Sequence, residues 1–548
     1  MSFKLHHMHG GMHLQQHKQK SCAQPVQVAE LPRQLILPLR QHIGEANKPI
    51  VAVGERVLRG QLIATSPSPI SAGIHASSSG LVSAIETHAV PHPSQLSADC
   101  IIIDTNGKDE AIKQTPIDLS TVSRIEILEY LHDSGIAGLG GAVFPTSAKL
   151  SRALEQSINT LIINGAECEP YITCDDMLMR TRSAAVIQGI SHLQTILSPA
   201  RTLIAIEDNK PEAIDAMRQS LLQQALTNTE LVVIPTIYPC GGEKQLIQIL
   251  SGHQIPQHQL AFDIGTICQN VGTCAAISDA LERQQPLISR YVTVSGDGIC
   301  NPGNWEVRLG TPIRHLINLA GGYRAGDANQ QHLVMGGPMM GFSLATDSIP
   351  VVKASNNILV MQAQTIASKP GLHDECIRCG KCSEVCPAQL LPQQLYWHAR
   401  AKAYDKAESY NLFDCIECGC CSAVCPSEIP LVQYYRAAKS ELRASQQALF
   451  KSDRARIRFE SREKRLLRKK QQQEESRRLK REALLKKSAQ KKQQDTKPDP
   501  VQAALDRIKA KNKENIPEIK NVTNLTPDQQ KQIDEADARR RAARESRA

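Results

Sequence analysis

Two cysteine-rich runs of the same spacing constrain this chain more than any other feature of its sequence. Each run has the pattern CxxCxxCxxxCP, and their cysteines are Cys376, Cys379, Cys382 and Cys386, then Cys415, Cys418, Cys421 and Cys425. In bacterial proteins with two such runs, three thiolates of one run and the last cysteine of the other hold each cluster. The sequence therefore predicts two [4Fe-4S] clusters on a small helical module.

The predicted ligand sets cross between the runs. Cluster I takes Cys376, Cys379, Cys382 and Cys425, and cluster II takes Cys386, Cys415, Cys418 and Cys421. Zinc also binds four cysteines, but two interleaved runs that each end in Cys-Pro fit zinc sites poorly. Cys420 lies off the spacing and is predicted not to be a ligand. The cysteines outside the runs share no spacing and are predicted to be buried free thiols.

Length and charge exclude several classes of protein. A chain of 548 residues suits three or four domains, at roughly 150 residues each. It shows no signal peptide and no apolar run near the ~18 residues of a membrane span, which favours the cytosol. Residues 451–548 hold 30 Lys and Arg against 16 Asp and Glu, whereas residues 1–450 hold 34 against 39. The mildly acidic body and the near absence of aromatic residues from the tail argue against nucleic-acid binding.

The two ends of the chain have distinctive compositions. The basic tail favours contact with anionic lipid, at about 1 kcal/mol per basic residue near the surface, but its few apolar positions favour a solvated helix. We adopt the solvated helix, giving way to disorder after Pro500. The histidines at positions 6, 7, 9 and 13 are predicted to lie in a mobile N-terminal segment rather than to bind a metal.

Between these ends the sequence predicts three further units. Residues 50–87 hold short β-branched runs separated by glycines, which resemble the barrel-sandwich hybrid fold of biotinyl and lipoyl carriers. The carrier lysine is missing, so this unit is predicted to be structural. From about 120 to 285, strand-like runs alternate with helices, such as those beginning at Thr181 and Pro211, and predict a mostly parallel α/β sheet. Residues 289–355 hold short β runs with glycine-rich turns and predict a second compact α+β module, named the β module here.

A glycine-rich loop stands at the start of a predicted helix in the α/β unit. It contains Gly138, Gly140 and Gly141, and Lys149 follows one helical turn into the next element. Backbone N–H groups of such a loop cradle phosphate and the lysine adds charge. Tight turns use glycine equally often. The spacing differs from GxGxxG followed by an acidic residue, so an ordinary Rossmann site is not predicted.

These segments together resemble a known family. GLGGAVFPTSAK, then NGAECEP from Asn164, then YPCGGEKQLIQILSG from Tyr238, are similar to the flavin and NADH site of the complex I flavoprotein subunit. With the N-terminal hybrid unit, the β module and the cysteine runs, the chain to about Phe450 resembles the C subunits of the Rnf (Rsx) ion-translocating oxidoreductases. The β module then resembles the soluble ligand-binding β-grasp domain.

The resemblance implies roles for ten residues. Gly138, Gly140, Gly141 and Lys149 would line the flavin phosphate; Asn164, Glu167 and Glu169 the flavin ring or nicotinamide; Gly241, Gly242 and Glu243 the dinucleotide. Cys168 departs from the complex I pattern, which makes individual roles in its loop insecure. For the two carboxylates at 167 and 169, surface groups at a strand end are the alternative.

The resemblance also implies an architecture and a function. The expected domains are a barrel-sandwich hybrid domain (1–118), a flavin and NADH α/β domain (119–288), a β-grasp-like domain (289–365), a two-cluster ferredoxin-like domain (366–450) and a basic tail (451–548). The implied protein is a peripheral subunit on the cytoplasmic face of the inner membrane. It would pass electrons between NADH and ferredoxin, or another redox protein, through FMN and two [4Fe-4S] clusters, while other subunits of the complex move ions.

Two other functions compete with this one. A soluble NADH-linked iron–sulfur flavoprotein dehydrogenase would need its own organic substrate site, and no glycine-rich region besides the one described suggests such a site. A flavin-free, ferredoxin-like relay subunit would keep the fold but not the cofactor. Retention of flavin and association with membrane partners separate the three.

Overall fold

A computed structural model describes residues 3–545, except 66, 67, 69, 114–116, 118, 120, 258, 325–330, 363–372, 493–499 and 515–526. Contacts between residues divide the chain into two compact units, Met1–Gln446 and Gln447–Ala548. Each unit is described by itself.

The N-terminal part of the first unit is built from short strands. Its elements are α1 (Gln19–Cys22), β1 (Gln27–Val28), β2 (Gln34–Pro38), β3 (Lys48–Pro49), β4 (Arg56–Val57), β5 (Leu62–Thr65), β6 (Ile74–His75), β7 (Gly80–Ala89) and β8 (Ser97–Thr105). Strands β2 to β8 form two antiparallel sheets, in the orders β2-β8-β7-β4 and β3-β5-β6. Apolar side chains such as Leu35, Ile63 and Ile101 fill the core, as expected of the predicted hybrid barrel.

A parallel α/β layer follows. Its elements are α2 (Arg124–Asp133), α3 (Thr146–Leu154), β9 (Thr160–Gly165), α4 (Cys174–Leu197), β10 (Arg201–Glu207), α5 (Pro211–Gln224), β11 (Thr229–Ile234), α6 (Glu243–Ser251), a 3-10 turn (Ala261–Ile264), β12 (Thr266–Asn270) and α7 (Val271–Arg283). All strand pairs in the order β11-β10-β9-β12 are parallel. Their carboxyl ends therefore meet at one edge, where ligands of such sheets bind. Helix α4 begins seven residues before Thr181 and kinks at Arg182.

A mixed sheet packs beside this layer. Its elements are β13 (Ser289–Ser295), β14 (Gly303–Arg308), α8 (Ile313–Leu319), β15 (Gln331–Met335), β16 (Phe342–Ser343) and β17 (Asn357–Gln362). The strand order is β1-β14-β13-β17-β15-β16, so the N-terminal strand β1 extends this sheet through a parallel pairing with β14. The turn between β15 and β16 reaches toward the carboxyl edge of the parallel sheet, where Met339 and Met340 contact Glu169.

The cysteine runs lie among short helices. These are α9 (Lys381–Glu384), α10 (Pro392–Arg400), α11 (Tyr404–Ser409), a 3-10 turn (Leu412–Asp414) and α12 (Cys420–Ala423), followed by the start of the long α13 (Leu431–Lys492). The two cysteine loops repeat the same backbone: Arg378 and Glu417 both have φ of 58°, and Gly380 and Gly419 have φ of 81° and 82°. The repeated sequence pattern therefore produces a repeated local fold.

The N-terminal segment is packed, so the prediction of a mobile segment is wrong. Met12 and Tyr238 exchange backbone hydrogen bonds, and the Gly11 N–H donates to the carbonyl of Val385 at 3.0 Å. A Cβ on Gly10 would lie 2.7 Å from the Val385 backbone, so only glycine permits this approach. Among the described residues, the histidines of this segment belong to no group of converging metal ligands.

Lys353 is buried where the first three parts of the chain meet. Its Nζ donates to the carbonyls of Gly73 (2.9 Å) and Gly135 (2.7 Å). Burial lowers the pKa of Lys353 to about 7. Burial, followed by the lysine charge, also lowers the pKa of His42 to about 4 and that of His75 to about 3, so neither imidazole titrates above pH 7.

The free energy of unfolding should therefore rise between pH 7 and 10.5 because of Lys353. In this range the unfolded lysine (ordinary pKa 10.5) holds a proton that the folded one has lost, and stability rises wherever the unfolded state binds more protons. In Lys353→Met this rise with pH should disappear. Loss of the two hydrogen bonds should lower the free energy of unfolding by the same amount at every pH. Urea unfolding at several pH values measures it, with the exposed Lys48→Met as control. Parallel profiles for Lys353→Met and wild type would contradict the prediction.

The second unit is helical. It contains most of α13, then α14 (Pro500–Glu514) and α15 (Pro527–Glu545). Helices beyond residue 499 replace the expected disorder, and ion pairs one turn apart, such as Glu535 with Arg539, support them. Among the described residues, none of the helices combines the length and the apolar character needed to cross a bilayer.

Ending the chain after Phe450 should leave both clusters in place. All eight motif cysteines lie within the first unit, and the first turns of α13, with Val432, Tyr435 and Leu442, pack in the same core as Cys386. Iron and acid-labile sulfide per chain measure the result. Ending the chain after Pro430, which removes that packing, should lose both clusters. Equal loss of iron and sulfide in the two truncated chains would refute the domain boundary at residue 450.

Candidate cofactor sites

One large cavity lies at the carboxyl edge of the parallel sheet. Its volume is about 680 Å³, within the range of small-molecule and cofactor sites. All ten residues singled out in the sequence line it: Gly138, Gly140, Gly141, Lys149, Asn164, Glu167, Glu169, Gly241, Gly242 and Glu243. They come from the loop after α2, from α3, from the end of β9 and the loop after it, and from the segment between β11 and the first residue of α6.

The glycine-rich loop forms one wall of the cavity. Gly141 has φ of +101°, a conformation that glycine adopts without strain. Within the described residues, the N–H groups of Gly140 and Gly141 donate no hydrogen bond. The loop ends at Thr146, where α3 starts, and the buried Thr146 Oγ1 also finds no partner there. This wall presents the unpaired donors that an anionic group needs.

Lys149 connects two further walls. Its Nζ donates to the Cys268 carbonyl at 2.7 Å and to Glu243 Oε1 at 3.2 Å. Glu243 begins α6, and Gly242 caps that helix. The positive charge of the lysine is thereby held at the cavity wall by the end of β12 and the start of α6.

Asn164 joins the loop after β9 to the loop after β11. Its Nδ2 donates to the Gly241 carbonyl at 2.8 Å, while its Oδ1 accepts from the Ala166 N–H at 3.0 Å. A Cβ on Gly241 would lie 3.2 Å from the Ala166 carbonyl. The asparagine thus fixes the spacing of the two loops.

The carboxylate of Glu167 is buried, not a surface group at a strand end. Its oxygens accept from the N–H groups of Asp175 (2.9 Å) and Asp176 (3.3 Å) in the first turn of α4. The Lys18 ammonium donates to the Glu167 carbonyl. Burial raises the pKa of the carboxyl group. The N-terminus of α4 thus holds the carboxylate of Glu167, while the buried lysine holds its main chain.

Glu169 links the cavity to the β15–β16 turn. Its Oε1 accepts from the N–H groups of Met339 (2.7 Å) and Met340 (2.9 Å). A Cβ on Gly337 would lie 2.0 Å from Glu169 Cγ, so the close approach requires glycine. Burial raises the pKa of Glu169.

Several cavity residues escaped the sequence analysis. Gln269 and Asn270 end β12, Thr273 lies in the first turn of α7, and all three line the cavity. Asn270 Nδ2 donates to Asp175 Oδ2 at 2.7 Å. The predicted parallel sheet could have identified them, because polar residues at the carboxyl end of every strand of such a sheet reach the same edge.

The cavity also contains buried polar atoms without partners. Within the described part of the chain these include Thr146 Oγ1, Gln245 Oε1 and Gln269 Nε2. Buried polar groups are nearly always paired in folded proteins. Unpaired donors and acceptors on the wall, with the glycine loop and Lys149, fit a polar, phosphate-bearing ligand such as FMN.

The eight motif cysteines line two small cavities. Cys376, Cys379, Cys382 and Cys425 line one. Cys386, Cys415, Cys418 and Cys421 line the other, with the off-spacing Cys420 beside them. Each cavity thus combines three cysteines of one run with the last cysteine of the other. Four thiols around one small cavity are a donor set suited to a [4Fe-4S] cluster.

The second of these cavities lies next to the large one. Ile416 lines both of them. The Tyr238 hydroxyl donates to the Cys418 carbonyl at 2.6 Å, and Tyr238 itself lines the large cavity. Among the described residues, none that lines the first cysteine cavity also lines the large one.

Four family models match the chain in sequence order. They are the RnfC barrel sandwich hybrid domain (residues 6–108), the Nuo51 FMN-binding domain (131–279), the SLBB domain (291–343) and the 4Fe-4S dicluster domain (375–429). The predicted fold class and the predicted cofactors, FMN and [4Fe-4S] clusters, are confirmed.

Curated relatives share nearly half of the aligned residues. Three of them are named as the C subunit of an ion-translocating oxidoreductase complex. The Pseudomonas aeruginosa protein is 46% identical over 85% of this chain and 59% of its own length. The Yersinia enterocolitica protein is 47% identical over 84% and 65%, and the Yersinia pestis protein is 46% identical over 85% and 74%. The chain thus spans less than two thirds of the first two relatives.

Among solved structures, the chain is similar to part of an NAD+-reducing [NiFe]-hydrogenase in the H2-reduced state. The match covers 60% of this chain and 63% of the other, at 17% identity and a TM-score of 0.43.

Proposed function

The chain belongs to the C-subunit family of ion-translocating oxidoreductase complexes, and on this premise we propose that it transfers electrons between NADH and a redox partner through FMN and two [4Fe-4S] clusters. The observation that carries the proposal is the position of the large cavity directly beside the second group of four cysteines. A two-electron donor and a one-electron acceptor would then meet within a single chain.

The bound cofactors would supply the redox chemistry: FMN exchanges a hydride for single electrons, and the clusters carry single electrons. The residues of the chain bind and orient them. The free N–H groups of Gly140 and Gly141, with Thr146 and Lys149, hold the flavin phosphate. Asn164 keeps the loops after β9 and β11 at the spacing that the cavity needs.

The carboxylates of the buried Glu167 and the half-buried Glu169 face the ring end of the cavity in this proposal. Glu167, held by the first turn of α4, and Glu169, held by Met339 and Met340, line the space for the flavin ring or the nicotinamide. Gly241, Gly242 and Glu243 border the dinucleotide. The absence of side chains on the two glycines leaves room for close approach of a ligand to the backbone.

The crossed cysteine sets hold the clusters in this proposal, and their positions give an order. Cluster II, on Cys386, Cys415, Cys418 and Cys421, exchanges electrons with the flavin. Ile416 lines both cavities, and Tyr238, which lines the large cavity, donates a hydrogen bond to the Cys418 carbonyl. Cluster I, on Cys376, Cys379, Cys382 and Cys425, carries electrons onward.

Partners and location follow from the family. The chain is proposed to act as a peripheral subunit on the cytoplasmic side of the inner membrane, bound to other subunits of the complex. Ferredoxin, or another redox protein, is the second redox partner, and ion movement belongs to the membrane subunits. The basic tail remains a solvated helix in this proposal, with contact to anionic lipid as the alternative.

An anaerobic titration with NADH tests the proposal. The purified full-length chain is supplied with FMN, its clusters are reconstituted, and flavin absorbance and electron paramagnetic resonance are followed together. We expect bleached flavin and the signals of reduced clusters after NADH alone. Clusters that respond to dithionite but not to NADH, with no flavin retained, would overturn the proposal in favour of a flavin-free relay.

A further inference from the structure

Three potential metal ligands meet behind the wall of the large cavity, apart from the eight motif cysteines. One ligand atom each from Cys168, Glu207 and Cys240 lies within 4.8 Å of both others. All three side chains are buried, and those of Glu207 and Cys240 have no exposed surface. Neither the family pattern nor the proposed electron path uses this group.

The parallel sheet explains why these three residues converge. Cys168 follows β9, Glu207 ends β10 and Cys240 lies in the loop after β11, so the residues come from three neighbouring strands at one edge. The Cys240 thiol donates to Glu207 Oε1 at 3.4 Å. Main-chain geometry, rather than a flexible surface loop, positions all three ligand atoms.

The spacing of the ligand atoms suits a tetrahedral ion. Zinc bonds of about 2.3 Å to sulfur and about 2.1 Å to oxygen place S and O about 3.6 Å apart, and two sulfurs about 3.8 Å apart. The observed S to O separation is 3.4 Å, and no pair exceeds 4.8 Å. Small side-chain rotations would therefore bring all three atoms to bonding distance.

The surroundings of Glu207 leave one oxygen for a metal. Its Oε2 accepts from the Lys210 ammonium and from the Glu167 N–H, while Oε1 faces Cys240. Such outer-shell hydrogen bonds orient carboxylate ligands at metal sites. Binding of a divalent cation by two thiols releases two protons, so the net charge of this buried region would not change.

The group also has an entry path and an open position. Cys168 lines the large cavity, so an ion that enters from there meets the Cys168 thiol first. Three protein ligands leave the fourth tetrahedral position to a molecule in the cavity, as in zinc sites with an open position. We propose that Cys168, Cys240 and Glu207 bind one divalent ion of the zinc class beside the flavin cavity.

The test uses the full-length protein with both clusters and FMN assembled. Equimolar Zn²⁺ is added, the protein is desalted, and zinc, iron and the number of sulfur neighbours of zinc by X-ray absorption are measured. We expect about one zinc per chain with two sulfur neighbours. Cys240→Ser should weaken zinc binding by roughly 100-fold, with unchanged iron showing that the variant folds.

Cys100→Ser is the matched control, because Cys100 is another buried thiol, on β8 of the N-terminal sheet; this variant should bind zinc like wild type. Four sulfur neighbours together with loss of iron would place the zinc in the cluster sites and overturn the proposal. Equal zinc binding by Cys240→Ser, no retained zinc in wild type, or a disulfide between Cys168 and Cys240 detected by mass would do the same.

Discussion

Replacing Cys386 by alanine should remove cluster II and spare cluster I, although Cys386 belongs to the first cysteine run. Its side chain lines the cavity of Cys415, Cys418 and Cys421, not that of its own run. Iron should fall from about eight to about four atoms per chain, since each cubane holds four. The remaining cluster should still respond to dithionite. It should no longer respond to NADH, because the proposed electron path runs from the flavin through cluster II to cluster I.

Cys420→Ala is the matched control for this result. Cys420 lies in the same cavity and is fully buried, but it is off the spacing of the run. We expect this variant to retain both clusters and their response to NADH. Iron analysis, paramagnetic resonance and NADH titration are applied to both variants. Loss of cluster I in Cys386→Ala would refute the crossed ligand sets. Loss of cluster II in Cys420→Ala, with cluster II retained in Cys386→Ala, would refute them as well.

The sequence predicted the parts of the fold that depend on local pattern. Cysteine spacing alone predicted two clusters, and the repeated left-handed positions at Gly380 and Gly419 explain why one pattern folds the same way twice. Alternating strands and helices predicted the parallel layer, which the structure contains. The ten flavin-site residues lie on one cavity, while their binding roles, the ligand sets and the domain boundaries at 118, 288, 365 and 450 stay predictions.

What the sequence analysis missed depends on contacts between distant segments. Gln269 and Asn270 carry no motif of their own and reach the cavity only because β12 pairs with β9. The N-terminal segment is polar, as mobile ends usually are, yet two adjacent glycines let it pack against Val385 and Tyr238. Such close approaches have no periodic signature, so composition alone gave the wrong answer there.

Gly141→Val should weaken FMN binding while leaving the clusters intact. Gly141 lines the large cavity with φ of +101°, and a β-branched residue in that region costs about 1–3 kcal/mol of strain. Among the described residues, apart from its chain neighbours, no atom lies within 4 Å of a Cβ placed there, so the strain at this position is not compounded by a clash of that Cβ with these residues. A loop that relaxes this strain shifts its N–H groups away from the proposed phosphate position, and this shift weakens binding of the flavin. We expect a 10- to 100-fold rise in Kd, roughly 1.4 kcal/mol per tenfold.

Gly54→Val is the control that separates backbone strain from the change in FMN affinity. Gly54 lies in the turn between β3 and β4 with φ of +87°, and among the described residues, apart from its chain neighbours, no atom lies within 4 Å of a Cβ placed there. This variant therefore carries a comparable backbone penalty at a residue outside the lining of the large cavity and should bind FMN like wild type. Titration of FMN fluorescence against each protein, with urea unfolding alongside, gives both quantities. Both valines strain the backbone, but only Gly141 lines the large cavity, so only Gly141→Val should raise the Kd for FMN. An unchanged Kd in Gly141→Val would show that the glycine-rich loop is not part of the flavin site.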